Sequence, residues 1–176
     1  MQVMLEGWIV GDGDVPLPNV GGVLRRRMLT LACREAAESV LEVAHEWSLE
    51  SEAVVLGQVI WRGGGVSGDA AALDCGFPLR IESDIDVQTE KPSGKYWFSG
   101  PRGDVNWYVP VPLSIPPVGA FCAARGSIRV AAEYEMEDDM LEEGFPDVRA
   151  DWLIQTVTPR PEPELNGWLL ELQPLN

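Results

Sequence analysis

The 176 residues carry 28 acids against 13 bases, a formal net charge of −15. That sign opposes phosphate-neutralising nucleic-acid binding and is repelled by anionic membrane surfaces. Hydrophobic residues make up 45% and charged residues 23%, which excludes whole-chain disorder, and a chain of this length buries about 70% of its unfolded surface in one core without staples. One domain over 1–176 is therefore expected.

The three cysteines, Cys33, Cys75 and Cys122, form no CxxC pair and leave an odd thiol in any pairing scheme. They are expected to be reduced, in a cytoplasmic setting. Residues 1–10 lack a basic n-region and include Glu6, so no signal peptide is expected. No apolar run approaches the length of a membrane span.

In chain order, residues 2–10 read as a first strand, closed by Gly11-Asp12-Gly13-Asp14 and a Pro-containing loop. Residues 23–33 read as a second strand, with Leu29, Leu31 and Cys33 alternating against Thr30 and Ala32. Residues 34–47 separate on a helical wheel. Glu35, Glu38, Glu42, His45 and Glu46 gather on one side, and Ala36, Val40, Leu41, Val43 and Trp47 on the other. The pattern predicts an amphipathic helix, although alternation from Leu41 to Leu49 also suits a strand.

Beyond this point the pattern is β. Residues 53–62 form a strand with Gly57 at a bulge position, ended by Gly63-Gly64-Gly65-Val66-Ser67-Gly68. Residues 79–88 alternate, with Leu79, Ile81, Ile85 and Val87 facing a core and Arg80, Glu82, Asp84 and Asp86 facing water. Residues 95–99 and 104–111 flank Gly100-Pro101-Arg102-Gly103 as a hairpin, and the Pro-rich 110–117 suits an edge or crossing loop. Residues 127–136 alternate again, with Arg129, Glu133 and Glu135 on the wet side. Strands over 148–157 and 167–173 close the chain. The expected fold is mainly β, an antiparallel sandwich or partly open barrel, with at most one helix near 34–47.

The opening, with Leu5-Glu6-Gly7-Trp8, a Pro-containing loop and then Val20-Gly21-Gly22, resembles the start of a group of small actinobacterial β-proteins. In those, a strand with Leu-Glu-x-Trp leads to such a loop and then Val-Gly. The resemblance covers about two dozen residues and implies a β-protein without implying an activity.

Catalytic motifs are missing. His45 is the sole histidine, so any triad would have to use it, and no Gly-x-Ser-x-Gly elbow occurs. The glycine run at 63–68 lacks the Lys-Ser/Thr of a phosphate loop and reads as a turn. One His and three scattered Cys make no zinc site. Asp12-Gly13-Asp14 and Glu137-Asp138-Asp139 offer oxygens to Ca²⁺ but match no twelve-residue EF-hand loop. No cofactor or metal is expected.

Two constellations point to binding. Glu133, Glu135, Glu137, Asp138, Asp139, Glu142 and Glu143 run without an intervening base and are interleaved with Tyr134, Met136, Met140, Leu141 and Phe145. Acids for steering and apolar anchors such as Phe145 suit a surface that docks a basic protein, as in an immunity or inhibitor protein. Glu82, Asp84 and Asp86 would extend it. Alternatively, Tyr96, Trp97, Phe98, Trp107 and Tyr108 around the hairpin suit a sugar-stacking, carbohydrate-binding surface, or cross-strand packing. A carboxylate-based hydrolase would need two placed acids, and this composition does not single out a pair.

Overall fold

The structure, a computed structural model, describes residues 1–40, 45–47, 52–65, 68–88, 98–99, 105–133, 135–136, 144–160 and 167–175. Its strands are β1 (Gln2–Glu6), β2 (Val23–Arg27), β3 (Leu29–Glu38), β4 (His45–Trp47), β5 (Ala53–Gly65), β6 (Gly68–Asp74), β7 (Pro78–Ser83), β8 (Ile85–Gln88), β9 (Phe98–Ser99), β10 (Val105–Pro110), β11 (Phe121–Val130), β12 (Ala150–Pro159) and β13 (Gly167–Leu175). A single helical turn, α1 (Gly7–Gly11), follows β1.

The mainly-β expectation holds, and the architecture is a barrel that closes. β11 is the pivot. One edge pairs with β3 from Cys122 to Val130, and the other pairs with β5 from Phe121 to Gly126. The path β11–β3–β7–β6–β5 then returns to β11, a closed five-stranded barrel. Past Gly126 the second edge of β11 turns to β1, which meets it at Arg129. β13, β12 and β2 continue the sheet outward. The β1–β11 and β3–β7 pairings are parallel, and the other ladders are antiparallel.

Leu29, Leu31, Val55, Leu73, Leu79 and Ile81 are fully enclosed. They share one cluster with Val3, Leu5, Trp152, Ile154, Leu170 and Leu172 of the extension. Trp152 ties the two together. Its indole N–H donates to the Arg27 carbonyl at 2.9 Å, and its ring meets Phe77 edge-on at 5.6 Å. Such a ring adds roughly 0.5–1.5 kcal/mol beyond its buried area.

The helix expected at 34–47 is not formed where the chain is described: residues 34–38 continue β3, and 45–47 are β4; residues 41–44 lie outside the described residues. The cause is a bulge. Arg125 opposes Glu35 and Gly126 opposes Cys33, so Arg34 is the extra residue. It shifts the inward positions from Cys33 to Ala36, and that three-residue step imitates a helical period. Gly126 permits the geometry, because a Cβ there would lie 1.9 Å from the Ala32 carbonyl oxygen.

Several strand boundaries also move. The strand expected over 2–10 stops at Glu6, and α1 turns so that Ile9 is buried and Trp8 stays partly exposed. The stretch 23–33 is two strands broken at Met28, beside Arg26 in the left-handed region (φ 48°). At Gly57 there is no bulge. Instead a Cβ would meet the Cys75 sulfur at 2.6 Å, and the register shift falls between Val59 and Trp61. The expected strand 79–88 is split at Asp84, whose N–H donates to the Cys33 carbonyl. The one expected over 127–136 ends at Val130, and Glu133, Glu135 and Met136 belong to a helical turn.

Candidate functional site

The outer wall of the barrel carries a row of polar side chains. Thr30 on β3 stands in register with Arg80 on β7 and with Arg129 on β11. Alternation places these three opposite the inward leucines, with Glu82 two residues further along β7 on the same face. The sequence pattern assigned Arg80, Glu82 and Arg129 to a wet face. Instead the Arg80 side chain is 7% exposed and that of Arg129 17%. Residues 131–133, 135–136 and 144–149 lie over this wall. Met136 and Val148 are buried with Met28, Ala72 and Ala131, and Phe145 meets Trp61 edge-on at 4.9 Å.

Burial forces the charges to pair. The Arg80 guanidinium donates to Glu82, and Arg129 contacts Glu82 Oε1 at 2.6 Å. Arg129 also forks onto Glu135, with both nitrogens 2.9 Å from its carboxylate oxygens. Glu135 accepts the Ala132 N–H at 2.9 Å as well. This is the reach-back of a third helical residue to the N–H that opens its own turn. Burial alone would raise the Glu82 carboxyl, but the charges of Arg80 and Arg129 outweigh it and hold the group below the ordinary carboxylate range. Burial would likewise lower the Arg129 guanidinium. The Glu135 hydrogen bond, with the charges of Glu82 and Glu135, raises it instead, so it stays protonated. The outcome is a chain of alternating charges, Arg80–Glu82–Arg129–Glu135, that ties Glu135 to the barrel.

Among the docking candidates, Glu135 is committed to Arg129, and Phe145 is half-buried against Trp61. Glu133 is exposed, and its N–H donates to Asp14 Oδ2 at 3.1 Å, which brings the Asp12–Asp14 loop beside the start of the segment. Glu137, Asp138, Asp139, Glu142 and Glu143 lie outside the described residues. At the far end Asp147 is exposed and takes both donors of Arg149, at 2.7 and 2.8 Å. The Arg149 hydrogen bond leads the causes that bring its carboxyl down to about 2. Of the proposed extension, Glu82 faces into the charge chain and Asp84 pairs with Arg34 at 2.7 Å.

For the sugar-stacking alternative, β10 pairs with β9 and β8. Asn106 lies opposite Phe98, Trp107 opposite Gln88 and Tyr108 opposite Val87. The hairpin pairing expected from the sequence is therefore present, and Tyr96 and Trp97 lie outside the described residues. His45 stands opposite Val55 on the short edge strand β4. Gly65 and Gly68 pair across the β5–β6 turn. Among the described residues no group of three His, Cys, Asp or Glu gathers to hold a metal, and no helix is long and apolar enough to cross a membrane.

Fold and site together define a closed five-stranded barrel with a sheet extension and a covered chain of charges, Arg80, Glu82, Arg129 and Glu135, on its outer wall. Comparison with protein-family models, curated proteins and solved structures finds no match to the chain.

Proposed function

We propose that the protein is a non-catalytic binding protein whose acidic segment docks a basic protein partner, in the manner of an immunity or inhibitor protein. The observation that carries this reading is the direction of the charges around the segment. Arg80 and Arg129 are covered on the outer wall and neutralised by Glu82 and Glu135, while Glu133 and Asp12 remain exposed. The charges of Glu133 and Asp12 thus face solvent, where negative charge raises encounter rates with a basic surface. Three buried free thiols suit a reducing, cytoplasmic setting.

The test is capture from native lysate at low salt, with wild-type protein beside a variant in which Glu133, Glu137, Asp138, Asp139, Glu142 and Glu143 are changed to Gln or Asn. A stoichiometric basic protein held by the wild type, released by salt and lost from the variant is expected. Equal retention by both proteins would refute the docking surface.

A further inference from the structure

Where the sheet extension meets the β6–β7 turn of the barrel there is a cleft of about 500 Å³. Phe77 of the turn lines it together with Gln155, Thr156, Glu171, Leu172 and Gln173 of β12 and β13. Its size falls within the roughly 300–1,000 Å³ of small-molecule sites. A bulge shapes it. Ile154 opposes Leu172 and Thr156 opposes Glu171, so Gln155 is the extra residue on β12. Strict alternation would send Gln155 and Thr156 to opposite faces, but both are exposed and both line the cleft. The bulge thus gathers two polar side chains where a regular strand offers one.

The polar groups form a mixed set. Gln155 Nε2 donates to Gln173 Oε1 at 2.7 Å. That bond leaves the Gln155 carbonyl oxygen to accept and the Gln173 amide to donate, and the Thr156 hydroxyl does both. The exposed Glu171 carboxylate, across the ladder from Thr156, accepts. Phe77 and Leu172, 8% and 2% exposed, supply the apolar part. Among the described residues no arginine or lysine lines the cleft, and the Met1 amino group at its edge donates to the Leu172 carbonyl at 3.0 Å. An anion would meet Glu171 with no guanidinium to hold it. A cation would use Glu171 and leave the Gln173 donor unmatched. Neutral hydroxyls, each both donor and acceptor, match the whole set, and the C–H face of a ring suits Phe77 and Leu172. We propose that this cleft binds a neutral sugar of one or two rings, held by Gln155, Thr156, Glu171 and Gln173. It shares no residue with the acidic run or with the hairpin aromatics, so it stands or falls apart from the docking reading.

Heteronuclear NMR of the full chain tests the site, with glucose, cellobiose and N,N′-diacetylchitobiose each titrated to about 50 mM at pH 7. At least one sugar should saturably shift the side-chain amides of Gln155 and Gln173 and the backbone amides of Thr156 and Leu172, with a dissociation constant of about 10 mM or below. Gln155→Ala and Gln173→Ala each remove an exposed side chain, so Tm should stay within about 2 °C of wild type. Read from the Thr156 and Leu172 amides, each variant should bind that sugar at least about fivefold more weakly. No saturable shift with any of the three sugars would overturn the proposal. So would equal affinity in wild type and both variants, or shifts centred on Trp107 and Tyr108 instead of the cleft. Saturation of the cleft by inorganic phosphate or by lysine, with none by the sugars, would overturn the ligand class.

Discussion

Replacing Arg129 with methionine tests the charge chain most severely. The substitution keeps length and apolar stem but removes the cation that holds Glu82 at 2.6 Å and Glu135 at 2.9 Å. Breaking a fully buried pair by deleting one partner costs about 3–5 kcal/mol. Here Glu82 keeps Arg80, and the side chains of Glu82 and Glu135 retain 16% and 21% exposure, so the cost falls at or just below the bottom of that scale. We expect a loss of about 2–3 kcal/mol at pH 7, or a Tm lower by roughly 4–12 °C for a chain of this size. The loss must also depend on pH. Glu82 has its carboxyl lowered in the folded state, so its stabilising contribution is present above the unfolded carboxylate value of about 4.3 and disappears as pH falls through the lowered folded value. The gap between Arg129→Met and wild type should therefore narrow below about pH 4. Urea unfolding of both proteins at pH 7 and pH 3.5 measures it. An equal gap at the two pH values, or none at pH 7, would refute the ionic account of the segment's attachment.

Three further outcomes follow from the packing. Gly126→Ala would put a Cβ 1.9 Å from the Ala32 carbonyl oxygen, a backbone contact with no flexible end to yield. It should cost at least about 3 kcal/mol in urea unfolding, at the upper end of the usual cost of overpacking. The thiols of Cys33 and Cys122 are pushed up by burial to about 11, and that of Cys75 to about 12. All three should resist a thiol-specific reagent at pH 8 in the native protein and react together in urea. Asp147 should titrate near 2 by NMR, and in Arg149→Ala it should return toward 3.8. Because both groups of that pair meet solvent, the stability change should stay below about 1 kcal/mol.

Much of the fold is legible as alternation. The strands expected over 53–62, 148–157 and 167–173, found at 53–65, 150–159 and 167–175, and the β9–β10 pairing follow from β-rich runs separated by Gly and Pro, although Gly63, Gly64 and Gly65 continue β5 where a turn is expected. Misreadings concentrate where a backbone irregularity changes the period. The extra residue Arg34 turns a two-residue step into three and makes a strand resemble a helix. Closure of the barrel was not visible, because it rests on β11 pairing two ways at once and on Gly126 letting β3 approach, and neither leaves a periodic trace. The candidate site was half legible. The acidic run stands out by composition, but alternation does not say whether a polar face meets water or another segment. For this reason Arg80, Glu82 and Arg129 read as solvated when they are covered. One signal was available at Glu135, which sits three residues after Ala132 at the opening of a turn, where a carboxylate reaches back to the free N–H.

The claim that the acidic segment docks a basic protein is tested most directly by the association rate of the captured partner as ionic strength is raised. Across about 20 to 200 mM salt the Debye length shrinks from roughly 20 Å to under 10 Å. The wild type should then lose at least about tenfold in on-rate, as electrostatically steered pairs do. The variant with Glu133, Glu137, Asp138, Asp139, Glu142 and Glu143 neutralised should associate slowly at every salt concentration. Identical rates for the two proteins, or a rate indifferent to salt, would contradict the docking account and leave the −15 charge as a property of the surface at large.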